Sequence, residues 1–164
     1  MIEQLLLPLE TTEAGKYLAT FLMSMVPVIE LRGGVPFGVA LGLPVSGAFL
    51  TALLGNMLPV PFIVLFVRRM FAFIRARIPR LGSWVDRLEK KAWEKSDRVL
   101  KYQTWGLLLF VAIPLPGTGA WTGALIAALL DMRLKKAVPV IFLGVLIAGI
   151  IVTSLTYGVV SLLG

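Results

Sequence analysis

The sequence contains no cysteine and no histidine among its 164 residues. Without cysteine there are no disulfides, thiolate metal sites or cysteine nucleophiles. Without histidine the chain lacks the commonest general base and the commonest catalytic zinc ligand. It also has no Walker loop, and its Gly33-Gly34 and Gly117-x-Gly119 patterns are typical of tight turns. We therefore expect the protein not to be an enzyme and to use no cofactor or metal.

Charge is also scarce, since 15% of the residues are charged while 58% are apolar. A soluble domain carries about 25% charged residues. The mean hydropathy is +0.90, and a chain of this length cannot hide so many apolar side chains in one small core. The composition predicts an all-α integral membrane protein with one membrane domain over residues 1–164.

The positive charge is concentrated in residues 68–101, where eleven basic and four acidic side chains leave a balance of +7. This segment separates apolar blocks, so the positive-inside rule predicts that it is a cytoplasmic loop. Within it, Leu81, Trp84, Val85 and Leu88 fall on one helical face. We expect an amphipathic helix that lies on anionic inner-leaflet headgroups. A groove for a partner protein or a nucleic-acid patch is the alternative.

Two apolar blocks are long enough to cross a membrane, which takes about 20 residues. They predict transmembrane helix 1 over residues 44–67 and transmembrane helix 2 over residues 137–163. Pro59 and Pro61 are expected to kink the first helix. The basic loop between the two halves is placed at residues 68–104.

Two other apolar blocks are interrupted near their middle. Residues 17–43 are broken by the sequence ELRGGVP at 30–36, and residues 105–130 by PLPGTG at 114–119. Each part is too short to cross the bilayer and too apolar to lie in water. Both blocks are therefore predicted to form re-entrant helical hairpins, whose returning helices begin near Val35 and Gly119.

Small residues spaced four apart mark both returning arms and predict close helix packing. The two series, 85 residues apart, are Gly34, Gly38, Gly42 and Gly119, Gly123, Ala127. The shared order of hairpin and span predicts two repeats. With the basic loop in the cytoplasm, the two repeats are inverted in the inner membrane. Both termini then lie on the outer side of that membrane.

Glu30 and Arg32 are the only charged residues at the predicted membrane depth. Burying either unpaired costs about 2.5–3.5 kcal/mol, so an ion pair that closes the tip is one interpretation. The functional interpretation is that Glu30 takes up and releases a proton, while Arg32 binds an anion with its planar guanidinium. The N-termini of the returning helices also favour anions.

The predicted substrate- and proton-binding residues surround the two tips and include one amide in transmembrane helix 1. Trp121 among them stacks on the substrate or only packs. The set is Glu30, Arg32, Gly33, Gly34, Pro36, Asn56, Pro114, Pro116, Gly117, Thr118, Gly119 and Trp121.

The tip sequences ELRGGVPFG at 30–38 and PLPGTGAWTG at 114–123 resemble those of the small multi-drug export protein family, which is grouped with the DedA/VTT superfamily. The resemblance extends from about Tyr17 onward. It implies paired re-entrant hairpins, often a dimer, and transport of polyprenyl phosphates or phospholipids with proposed proton coupling. Glu30 matches the acidic residue of the first hairpin and Arg32 its nearby base. The arginines typical of the second DedA hairpin are absent here.

The predicted function is therefore DedA-like transport of an amphipathic anion, a lipid phosphate, across or between leaflets with possible proton coupling. The expected partners are membrane lipids and a second copy in a homodimer, and no nucleic acid. One alternative is a proton-coupled multidrug exporter of hydrophobic cations, against which Arg32 argues because a fixed positive charge repels cations. The other is a membrane scaffold without transport.

Overall fold

The computed structural model describes residues 12–77, 87, 96–115 and 117–158. Within these ranges the chain forms helices joined by turns, with no strand, which confirms the all-α class. The helices are α1 (Glu13–Ser24), α2 (Glu30–Ala40), α3 (Val45–Met57), α4 (Pro59–Arg77), α5 (Ser96–Ala112), α6 (Ala120–Leu129) and α7 (Leu134–Thr153), which continues into a π-helical turn at Ser154–Gly158.

Two helical stretches in the described ranges are long and apolar enough to cross a membrane, Val45–Met70 and Leu134–Tyr157. They overlap the two predicted transmembrane helices. The first stretch comprises α3 and most of α4, which meet at a turn at Leu58. Pro59 has no N–H to donate to the preceding turn of helix, and this explains the interruption at the place where a kink was expected.

The helices that flank the basic loop extend beyond the predicted spans. Helix α4 continues to Arg77, and α5 already begins at Ser96. Hydropathy marks the apolar length of a helix, whereas arginine and lysine are themselves good helix formers. The residues of the predicted amphipathic face lie outside the described part of the chain. They are Leu81, Trp84, Val85 and Leu88.

Three helices are much shorter than the bilayer core. Helices α1, α2 and α6 have 12, 11 and 10 residues, which correspond to about 15–18 Å at 1.5 Å per residue, against a hydrocarbon core of about 30 Å. Helix α1 packs on α2 and α3, and α5 packs on α7. Helix α4 packs on α6 and so connects the two halves of the chain.

The returning helix of the first half begins earlier than predicted. Helix α2 starts at Glu30 rather than near Val35, and the reversal of the chain lies at residues 25–29, which include Pro27. Gly33 and Gly34 are helical, and a Cβ on Gly34 would overlap the Ser24 hydroxyl and approach the Ala52 Cβ to 3.2 Å. Gly34 thus allows close packing against α1 and α3, and neither glycine forms a turn. In the second half α6 begins at Ala120 after its N-cap Gly119, as expected.

Helices α2 and α6 end in the same kind of turn. In the first, the N–H groups of Leu43 and Gly42 donate to the carbonyls of Gly38 and Val39. In the second, Met132 and Asp131 donate to Ala127 and Ala128. Both pairs form the Schellman pattern. Each of these two turns has one residue in the left-handed region, Gly42 (φ 89°) in the first and Asp131 (φ 50°) in the second. Each position in the first turn has its counterpart in the second turn 89 residues later.

The same separation relates the starts of α3 and α7, at Val45 and Leu134. The glycine pattern predicted 85 residues, which is one helical turn less. A series with a period of four looks similar after a shift of four, so the glycines alone could not fix the alignment. At 89 residues Gly34 corresponds to Gly123, and Glu30 corresponds to Gly119.

Candidate functional site

The turn at residues 25–29 and the start of α2 lie directly against the segment between α5 and α6. The indole Nε1 of Trp121 donates to the backbone carbonyl of Met25 at 3.1 Å. Glu30 and Arg32 also contact the second tip. The two tips predicted from the sequence therefore meet, and both charged side chains lie at their junction.

Arg32 holds the end of α5 through its guanidinium. Nη1 donates to the carbonyl of Leu115, and Nη2 donates to the carbonyls of Thr118 and Ile113, the latter at 3.3 Å. Nη2 also lies 3.2 Å from the Thr118 hydroxyl. These carbonyls follow the C-terminus of α5, where the helix dipole favours a positive charge. A planar fork with several donors suits this group of acceptors.

The Thr118 hydroxyl keeps the second tip in shape. Its oxygen lies 2.7 Å from the carbonyl of Ile113 and 2.8 Å from that of Leu115, to either of which it can donate. It also accepts from the N–H of Leu115 at 3.2 Å. This network presents the carbonyls that Arg32 binds.

Glu30 caps the N-terminus of α6. Glu30 is only 7% exposed. Its Oε1 accepts a hydrogen bond from the N–H of Trp121 at 3.2 Å. The N-cap residue Gly119 has no side chain that could do this, and a Cβ there would occupy the position of the carboxylate. The carboxylate therefore replaces an N-cap side chain at the positive end of the helix dipole.

The backbone at Glu30 is in the left-handed region, with φ at 51°. This conformation is uncommon outside glycine and costs of the order of 1–3 kcal/mol. Such strain persists only where the surroundings enforce it, and it is concentrated at functional sites.

Glu30 and Arg32 do not form an ion pair with each other. In the described part of the chain the salt bridges are Lys16–Glu13 at 3.6 Å and Arg68–Asp131 at 2.7 Å. The interpretation of the two residues as a tip-closing ion pair is therefore wrong, because each charged group of the first tip binds a helix end of the second.

Both charged residues line a half-open cavity of about 500 Å³, which we call the outer cavity. This volume is within the range of small-molecule sites. Its polar side is formed by the two charged groups and two threonines, and its apolar side includes Val28, which is 93% exposed. The lining residues are Pro27, Val28, Glu30, Arg32, Pro114, Gly117, Thr118 and Thr122.

A second, much smaller space lies deeper in the protein, and we call it the inner cavity. Its volume is about 10 Å³. Glu30 and Arg32 line this space too, so they lie between the two cavities. The other lining residues are Leu31, Asn56, Val111, Gly119, Val145 and Ala148.

The remaining predicted site residues have different surroundings. Gly33 abuts Ile29 within the first half, Gly34 packs on Ser24, and Pro36 lies inside α2. Pro116 lies outside the described residues. Trp121 is partly buried and contributes hydrogen bonds to the junction.

Three residues of the outer cavity were not predicted from the sequence, namely Pro27, Val28 and Thr122. The first two belong to the turn that was placed too late in the sequence. Thr122 follows the second tip by one helical turn, and a hydroxyl in an apolar segment gave no distinctive signal. Pro27 could have been recognised, because proline favours a chain reversal at this position.

These observations describe an all-helical protein with two apolar stretches of membrane-spanning length and a charged site between helix ends. A family model described as "Putative small multi-drug export protein" matches residues 30–151. This range covers most of the chain and includes both tips, and the chain belongs to this family. The family description indicates a role in small multi-drug export. The searches of curated proteins and of solved structures gave no match.

Proposed function

We propose that the protein transports an amphipathic anion with a phosphate headgroup, such as a polyprenyl phosphate or a phospholipid, together with a proton. The observation that carries this proposal is the placement of Glu30 and Arg32 on one cavity, each anchored to a helix end of the second tip. Glu30 is the proton carrier and Arg32 supplies positive charge for the anion.

The two side chains make anion binding depend on protonation. With Glu30 ionised, its charge and that of Arg32 cancel, and the N–H of Trp121 is occupied by the carboxylate. Protonation of Glu30 leaves the cavity with a net charge of +1 and weakens its hold on that N–H. The carbonyls bound to Arg32 carry no net charge and do not neutralise it. The anion and the proton therefore bind together, which is the requirement for coupled transport.

The shape of the outer cavity suits a substrate with a polar head and an apolar tail. Thr118 and Thr122 add hydroxyl donors to the charged groups, while Pro27 and Val28 add apolar lining. Because Val28 is almost fully exposed, a tail that leaves the cavity there would meet lipid if this turn lies in the bilayer.

Two inverted repeats would give such a site alternating access. The short helices α1, α2 and α6 and the caps repeated after 89 residues support re-entrant hairpins related by duplication. In this arrangement the protein lies in the inner membrane as a homodimer, with the basic loop cytoplasmic and both termini outside. Rocking of one repeat against the other would expose the outer cavity to each side in turn.

The test is transport by the purified protein in proteoliposomes, with a fluorescent prenyl monophosphate as substrate and an imposed pH gradient. We expect wild-type transport to follow the gradient. The rate of gradient-driven transport should fall about tenfold or more in Glu30→Gln, since a charged hydrogen bond is worth about 1.5–3 kcal/mol. Glu13→Gln is the matched control, because Glu13 is exposed on the first turn of α1. Unchanged coupling in Glu30→Gln would refute the assignment of the proton carrier.

The same vesicles distinguish the alternatives. Proton-driven movement of ethidium, with Arg32→Ala retaining or improving it, would identify a cation exporter instead. A scaffold would move neither probe, and its cellular phenotype would be lost when basic residues of the 87–98 segment are neutralised.

A further inference from the structure

The amide of Asn56 is buried beside the charged site without a hydrogen bond for its oxygen. The residue is 2% exposed, and in the described part of the chain Oδ1 has no hydrogen-bond partner. Buried polar atoms in proteins almost always have a protein or water partner. An unpaired amide oxygen in this position therefore indicates a small ligand.

The inner cavity supplies the space for such a ligand. Its volume of about 10 Å³ is close to that of one probe sphere, the minimum that holds a water molecule. Asn56 and Glu30 both line it, while Leu31, Val111, Val145 and Ala148 contribute apolar walls. The acceptors available are thus an amide oxygen and a carboxyl group on one small space.

We propose that the inner cavity holds one water molecule that bridges the Asn56 amide oxygen and the Glu30 carboxyl group. A water molecule can donate one hydrogen to each of these acceptors. A bare cation fits less well, because the positively charged residue Arg32 also lines this cavity. Asn56 is then a positioning residue, which acts on Glu30 through the water from the side opposite the outer cavity.

The second half of the chain supports a specific role for the amide. At the separation of 89 residues, Asn56 corresponds to Val145, and Glu30 corresponds to Gly119. The half that lacks the carboxylate therefore has an apolar residue where the half with the carboxylate has an amide. Among the described residues, Glu30 and Arg32 are the charged ones that line either cavity.

Infrared difference spectroscopy on the full-length protein in lipid, between low and high pH, tests the proposal. The C=O stretching band of protonated Glu30 is identified by its loss in Glu30→Gln. We expect Asn56→Val to move this band to higher wavenumber, because a hydrogen bond is lost. Threonine has nearly the same shape as valine but keeps an oxygen. Asn56→Thr should therefore leave the band near its wild-type position. Equal band positions in the Val and Thr variants would overturn the proposal.

A second measurement uses the unaltered chain and does not depend on folding of a variant. Difference spectra in H₂¹⁸O should show an isotope-shifted O–H band of a bound water that disappears in Glu30→Gln. Absence of such a band in the wild type would also overturn the proposal. The role of Glu30 in transport rests on the proposed function. If Glu30→Gln abolishes transport while no bound water is found, only the water site is wrong.

Discussion

Arg32 has two physical roles in the site. Its guanidinium binds backbone carbonyls of the second tip, and its charge determines the electrostatics of the outer cavity. The first role depends on the planar fork of donors, whereas the second depends only on the charge. Lysine keeps the charge and loses the fork, so substitutions at this position separate the two.

We expect Arg32→Ala to lower the free energy of unfolding by about 3 kcal/mol, because several hydrogen bonds to a charged group are lost together. Arg32→Lys should lower it by about 1–2 kcal/mol, because one ammonium cannot reach all the carbonyls. Denaturant titration in mixed micelles measures both values. Wild-type stability in Arg32→Ala would show that these hydrogen bonds do not hold the tip.

Gly119 gives a prediction about space rather than charge. Its φ of −171° is extended backbone that any residue adopts, so the backbone tolerates alanine. The added Cβ would instead overlap the Glu30 carboxylate. We expect Gly119→Ala to displace the carboxylate, to reduce stability by about 1–3 kcal/mol, and to impair transport as Glu30→Gln does.

Gly106→Ala is the matched control for this substitution. Gly106 lies in α5, and a Cβ there meets no atom within 4 Å. Alanine is favoured over glycine in a helix by up to about 1 kcal/mol, so this variant should be slightly more stable and should transport normally. Equal behaviour of the two alanine variants in unfolding and transport would contradict the proposed contact.

At the scale of helices, the sequence contained enough information for the long elements and less for the short ones. Apolar length alone located the stretches Val45–Met70 and Leu134–Tyr157. The start of α2 was predicted too late, because a Gly-Gly pair is typical of a turn and is equally suited to close helix packing. Only the packed neighbours Ser24 and Ala52 distinguish the two cases.

The candidate site could likewise be predicted only in part from the sequence. The charged pair was evident from composition, since charges are rare in apolar segments. Its partners are backbone groups more than 80 residues away, such as the carbonyl of Leu115 and the N–H of Trp121. Backbone acceptors leave no mark in a sequence, so neither the helix-capping roles of the two residues nor their lack of a mutual ion pair could be anticipated.

Arg68 connects α4 to the turn between α6 and α7. It forms an ion pair with Asp131 at 2.7 Å and donates to the carbonyl of Met132 at 2.6 Å. Asp131 is largely exposed, so the ion pair itself is worth less than about 1 kcal/mol. Both contacts are made by Nη2 of Arg68, whose two hydrogens can serve the carboxylate and the carbonyl separately.

We therefore expect Asp131→Asn to lower the unfolding free energy by less than about 1 kcal/mol, since asparagine also tolerates the left-handed backbone. Arg68→Ala should cost about 2 kcal/mol, because it removes both bonds. Arg69→Ala, at an exposed neighbouring position, is the control and should change little. An equal loss in Asp131→Asn and Arg68→Ala would mean that the ion pair, and not the carbonyl bond, stabilises the connection.

For the whole molecule, the distribution of exposed apolar residues indicates contact with lipid. Phe62 and Phe66 are 66% and 69% exposed on one face of α4, and Trp105 and Leu109 are 63% and 59% exposed on one face of α5. Soluble monomers rarely expose contiguous apolar surface of this kind. Together with the family assignment, these faces place the helix bundle in a membrane.

The proposed inverted arrangement predicts that the turns after α2 and α6 face opposite sides of that membrane. Ala40 at the end of α2 and Lys135 at the start of α7 are both exposed, and the chain has no cysteine of its own. Single cysteines at these positions can therefore be labelled with a membrane-impermeant maleimide without background. We expect Ala40→Cys to react from the outside in intact cells and Lys135→Cys only in inside-out vesicles. Leu125→Cys on α6 should react from neither side, because a thiol in lipid stays protonated and unreactive. Labelling of the first two positions from one side would mean that the halves are not inverted, and a site with alternating access would then need a different basis.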